Sequence, residues 1–191
     1  MHKRKLTFLA ALTLVFSSCT PSLHPLFTDT ERTSDPALVG VWQDKQQENT
    51  FTLRWFPDGK LYFLKTEMKD QPATPGEFNA VLGTVGKHRF LEIVPRRPNN
   101  IPAKSFFGGH FLQTCSFWKV ALDGDKLVLT PLNYQWVEAM VKAKKLDIKH
   151  EQQEGGFITL TASTEELKAF VLKYADDKAA FSGELAFERK K

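Results

Sequence analysis

The chain has 191 residues, 42% of them hydrophobic, 25% charged and 12% aromatic, with 16 phenylalanines and a formal charge of +4. That balance excludes wholesale disorder and fibrous or low-complexity architecture, and the length suits one domain of roughly 100–200 residues. The charge is concentrated in Lys3, Arg4 and Lys5; without residues 1–18 the net is +1, which leaves no electrostatic footprint for nucleic acid.

The first element is an export signal. A basic start, Met1 to Lys5, precedes the uncharged run Leu6–Phe16 and the small residues Ser17 and Ser18, the order of a secretory leader. The run is shorter than the roughly 20 residues a spanning helix needs. Phe16-Ser17-Ser18-Cys19 resembles the lipobox of bacterial lipoproteins, with Phe16 where a branched aliphatic usually stands. The resemblance implies cleavage after residue 18. Cys19 then carries a thioether-linked diacylglycerol and an acylated (palmitate-type) amino group. Several chains, each contributing about 0.8 kcal/mol per buried CH₂, anchor a protein stably. Thr20 rather than Asp follows Cys19. By resemblance to Gram-negative lipoprotein sorting, this implies a lipid-anchored envelope protein, on the outer membrane and facing the periplasm.

Residues 19–38 contain three prolines, many polar residues and no sustained period. They are expected to form a tether from the membrane to a domain spanning 39–191, with Leu26 and Phe27 docking back because they are costly to leave in water. The domain then reads as about nine strands: 39–44, 50–56, 60–67, 77–85, 88–95, 111–122, 126–130, 157–161 and 181–188. Over 50–56, Phe51, Leu53 and Trp55 alternate with Thr52 and Arg54, a half-buried strand pattern. Pro57-Asp58-Gly59, Gly86-Lys87 and Asp123-Gly124-Asp125 mark hairpin turns; at the first, Pro presets φ and Gly59 is expected to supply the positive φ. Residues 71–76 form a Pro-rich loop. Consecutive hairpins imply antiparallel neighbours, and closure removes exposed edges. Between 88 and 94, Phe90 falls on one face and Leu91 with Ile93 on the other, so period alone fixes no inward face there.

Two helices interrupt the strands. The span 134–145, capped by Asn133, puts Trp136, Met140 and Ala143 on one face. The span 164–175 opens with the capping box Ser163-Thr164-Glu165-Glu166 and carries Leu167, Phe170, Val171 and Tyr174 at i, i+3, i+4 and i+7, a core-facing stripe.

Gly40-Val41-Trp42 at the first strand, with a helix and a last strand near the C-terminus, resembles the lipocalins. The resemblance implies a mainly β, antiparallel up-and-down barrel of eight strands. One end is plugged by Trp42, and a helix and short strand follow the barrel. The lipocalin arginine that lies over the Trp has no assigned counterpart, since Arg189 follows the last helix. An antiparallel sandwich is the other architecture the strand pattern allows.

The ligand end of such a barrel would lie opposite Trp42. The loop 95–109 carries Arg96, Arg97, Lys104 and Phe106-Phe107. It reads either as a lid over an apolar or anionic ligand or as a packed crossover. Trp55 and Trp118 are candidate wall residues. No catalytic set emerges. Ser116-Phe117-Trp118-Lys119 has the Ser-x-x-Lys spacing of serine enzymes but sits on a strand, where i and i+3 face opposite sides. Cys115 has no neighbouring base and reads as a buried small apolar residue. His24, His88, His110 and His150 are scattered, so neither a metal nor another cofactor is expected. The basic stretch 142–150 reads as a solvated helix end.

Two functions from different classes remain open. One is a non-enzymatic lipoprotein binding an apolar small molecule or lipid in its barrel. The other is an interaction or assembly module of an envelope complex, its barrel filled by side chains. An envelope hydrolase is a minor third. The partners implied are the membrane and either an apolar ligand or an envelope protein, with no nucleic acid.

Overall fold

The computed structural model describes residues 19–69, 76–98 and 100–190; the leader 1–18 and most of the Pro-rich loop at 71–76 lie outside them. Ten strands form: β1 (Gly40–Asp44), β2 (Asn49–Phe56), β3 (Leu61–Met68), β4 (Gly76–Val85), β5 (His88–Pro95), β6 (Ser116–Asp123), β7 (Lys126–Pro131), β8 (His150–Gln152), β9 (Ile158–Leu160) and β10 (Leu185–Arg189). Eight close into an antiparallel barrel in the order β1-β10-β7-β6-β5-β4-β3-β2, and β8 pairs only with β9 in a separate two-stranded sheet. The expected lipocalin-like up-and-down barrel is therefore present. The first seven staves follow in chain order, each pleated hairpin placing alternate residues in the bore.

Three local expectations are corrected. The helix and last strand do not follow the barrel: everything between β7 and β10 is an insertion, and β10 is itself the eighth stave. The strand expected from 111 begins at Ser116, because the Cys115 backbone exchanges two 2.8 Å hydrogen bonds with Ser22. At the Pro57–Gly59 turn the left-handed residue is Lys60 (φ 45°) rather than Gly59.

The helices are α1 (Tyr134–Lys142) and α2 (Thr164–Tyr174). Asn133 Oδ1 accepts the Trp136 N–H at 3.0 Å, and Ser163 and Glu166 form the reciprocal capping box. Leu167, Phe170 and Val171 are buried as the stripe predicts. On α1 the buried residue is Val137, whereas Met140 is only half-buried and Ala143 is exposed. A single helical turn, Phe106–Gly109, lies in the β5–β6 connection.

Residues 19–38 are not a free tether. The Thr20 N–H donates to Leu132 O, Leu23 N–H to Leu160 O, and Thr33 N–H to Leu82 O; Leu26, Phe27 and Leu38 are buried. Successive contacts with Leu132, Cys115, Leu160 and Leu82 carry this strap from one end of the barrel to the other, outside the staves. Its unpaired backbone groups find partners on strand ends, which is what keeps an aperiodic Pro-containing segment ordered.

Two apolar cores result. The bore holds Trp42, Phe51, Leu53, Tyr62, Leu64, Leu82, Leu91, Trp118, Leu129 and Phe187 among others. The second core lies on the outer wall of β4–β6, under the strap, α1, β9 and α2. It contains Leu26, Phe27, Val81, Phe90, Cys115, Phe117, Leu160, Leu167 and Phe170. Leu91 and Ile93 thus face the bore and Phe90 the outer core, which resolves the ambiguity over 88–94.

Candidate functional site

The two ends of the barrel are built differently. At one end Trp42 is fully buried and donates its indole N–H to Leu38 O at 2.9 Å. The Arg189 guanidinium lies 4.2 Å from the Trp42 ring, a cation–π contact. Its Nη1 donates to Val39 O at 2.8 Å, Nη2 to Ala37 O at 2.6 Å and Nε to Asp125 Oδ1 at 3.1 Å. Gly40 is required here. Its φ is 144°, and a Cβ would stand 2.5 Å from Arg189 Nη1. An arginine thus lies over Trp42 although Arg189 follows the last helix in sequence, because β10 closes the barrel. This end is a plug in which the Trp42 indole and the Arg189 guanidinium are both hydrogen-bonded.

The opposite end carries the β1–β2 turn, the β5–β6 connection and Cys19. Cys19 packs against the bore core, as Met68, Phe78 and Leu185 also do, and its backbone bridges to Asn133. Burial pushes its thiol up to about 12. Phe106 is 89% exposed and Leu112 is 77% exposed; the Phe107 side chain lies outside the described residues. Arg97 Nη1 donates to Gly108 O at 2.6 Å and its guanidinium lies 5.1 Å from the Phe111 ring, so it ties the connection to itself.

The three described candidate ligand residues do not converge. Trp118 lies in the filled bore, its indole donating to Ser116 Oγ at 3.0 Å. Trp55 stacks edge-on against Tyr62 at 4.9 Å near the Trp42 end and borders a hollow of about 100 Å³ with Ser34, Asp35 and Val39. Phe106 is at the other end of the barrel.

A groove of about 620 Å³ lies outside the barrel between residues 147–150 and α2, with Ile148 and Phe170 in its lining. Ion pairs Lys149–Glu166 (2.8 Å) and Lys173–Asp147 join its two walls. Those lysines hold the Glu166 and Asp147 carboxyls below their ordinary range. His150 Nδ1 lies 2.8 Å from Ile148 O. Residues 142–145 are exposed, as a solvated helix end should be, whereas 147–150 form one wall of the groove.

The nucleophile candidates are dispersed. Ser116 faces the bore, whereas Lys119 points out and donates to Ala175 O at 2.8 Å. Cys115 is buried. Desolvation, with the charge of Glu92, pushes its thiol up to about 12, opposite to what a reactive thiol needs. Among the described residues no group of three His, Cys, Asp or Glu side chains is placed to share a metal ion, and no helix is long and apolar enough to cross a membrane.

Sequence reasoning missed Glu92. It is buried on the outer wall, and one carboxylate oxygen accepts the N–H groups of Leu26 (2.5 Å) and Phe27 (3.3 Å). Burial raises its pKa, against those two donors and the nearby Arg32 charge. A single charged residue inside the otherwise apolar run 90–94 was the available signal. Compared with protein-family models, with curated protein sequences and with solved structures, the chain finds no match.

Proposed function

We propose that this chain is a lipid-anchored envelope protein, held at Cys19 and facing the periplasm from the outer membrane. It acts as a non-enzymatic interaction module rather than as a ligand carrier. The observation that carries the choice is the bore. An eight-stranded barrel is just wide enough for side chains to fill it or for one small ligand to be held. Here Trp42, Phe51, Tyr62, Trp118 and Phe187 project into it from different staves and are all nearly or fully buried. Recognition is left to the outer surface, where the groove beside α2 offers a concavity of about 620 Å³.

Native mass spectrometry of protein extracted from membranes tests this. The expected species is the chain from Cys19 plus covalent acyl groups only. A stoichiometric non-covalent lipid or apolar small molecule would restore the carrier reading. Cys19→Ala is expected to move the protein out of the membrane fraction, and unchanged retention would reject the anchor.

A further inference from the structure

The strap has a consequence for how the domain sits on its membrane. With no free tether, the acyl chains leave the protein directly at the Cys19 end of the barrel. Thr20 is buried and hydrogen-bonded to Leu132, and Ser22 is bonded in both directions to Cys115. A flexible stretch of about 20 residues would have given a span of roughly 25 Å; here the slack is absent. Whatever surrounds Cys19 must therefore meet the bilayer.

What surrounds it suits that position. Phe106 and Leu112, the two most exposed large apolar side chains among the described residues, belong to the connection that leaves β5 and enters β6 at this same end. Residues 96–114 include Arg96, Arg97 and Lys104 and no Asp or Glu. Arg97 is engaged with Gly108 and Phe111, and Arg96 reaches Glu77 only at 4.0 Å. Lys104 is exposed. Apolar tips in a segment that carries basic and no acidic side chains are the surface that anionic headgroups over an acyl boundary attract.

We propose that the Cys19 end of the barrel docks flush on an anionic lipid surface. Phe106 and Leu112 enter the interfacial layer, and the 96–114 cations contact lipid phosphates. The plugged Trp42 end then points away from the membrane, and the groove beside α2 is presented sideways to the periplasm. The inference rests on the Cys19 anchor reading.

The test uses the full-length, membrane-extracted protein in vesicles of phosphatidylethanolamine and phosphatidylglycerol containing a nitroxide-labelled lipid. Leu112→Cys and, at the opposite end, Asp58→Cys each carry an environment-sensitive fluorophore; Cys115 is buried and the parent protein controls for it. Quenching at position 112 is expected to exceed that at 58 at least threefold. It should fall at least twofold in Lys104→Glu or when phosphatidylcholine replaces the anionic lipid. Intact mass separates the two readings. A mass without acyl chains rejects the anchor and this inference with it. Acylated protein quenched equally at both positions rejects the docking alone, as it would if a protein partner covers this end instead.

Discussion

The bore of the barrel and the core on its outer wall are both apolar, yet they are assembled from different kinds of chain. The bore is made by hairpins: each residue in it faces a neighbour on the next stave, as Trp42 faces Phe51 and Leu53 faces Leu64. The outer core joins parts distant in sequence. Phe27 from the strap, Phe90 from β5, Ile158 from β9 and Phe170 from α2 meet there. Local pairing holds the first, and long-range closure over an irregular strap holds the second. The comparison predicts that the bore unfolds only with the whole barrel, whereas the strap side can open by itself at lower free energy.

The largest effect should come from the bore. Trp42→Ala removes a fully buried indole, its hydrogen bond to Leu38 and the ring beneath Arg189. A loss of about 3–5 kcal/mol is expected in urea unfolding. A loss under about 1 kcal/mol would mean that the Trp42 end is not a structural plug.

An intermediate effect separates the two cores. Phe27 packs directly on Gly83, where a Cβ would stand 2.4 Å from Phe27 Cε1. Gly83→Ala must displace the phenyl ring, at about 1–3 kcal/mol for overpacking. Because Cys115 lies beneath Ser22 of the same strap, its thiol should label faster in Gly83→Ala than in the parent, at urea concentrations where the barrel remains folded. Trp42→Ala should not accelerate labelling before global unfolding. Equal acceleration in both variants would show the two cores to be one cooperative unit.

The same contrast explains what could be read in advance. Alternation in 50–56 and the turn residues gave the barrel, because one face of β2 is buried and the other is not. It failed at β5, where four successive residues are buried, since two cores erase a period of two. Arg189 was visible as a residue but not as the partner of Trp42, because the helical insertion hides that β10 closes the barrel. The strap read as a tether: its order comes from backbone hydrogen bonds to distant strands and from Glu92, which leave no local periodicity. Of the candidate site, the cations and phenylalanines of 95–109 were legible as chemistry. That the connection carrying them lies at the Cys19 end of the barrel depended on the strap and could not be.

The smallest effect concerns the carboxylate that pins the strap. Burial raises the folded-state pKa of Glu92 against the two N–H donors and Arg32. Folding therefore favours its protonated form. That contribution is fully present below the unfolded value of about 4.3 and is lost as pH rises through the raised folded value. Glu92→Gln keeps an oxygen for the Leu26 and Phe27 N–H groups and removes the titration. Relative to the parent, the variant should gain stability progressively as pH rises from 4 to 8, measured by urea midpoints. Glu92→Leu fills the space but leaves two buried donors unpaired, and should speed Cys115 labelling as Gly83→Ala does. Parallel pH profiles for parent and Glu92→Gln would show that the carboxyl is not desolvated in solution. The strap would then be held by its backbone bonds and Phe27 alone.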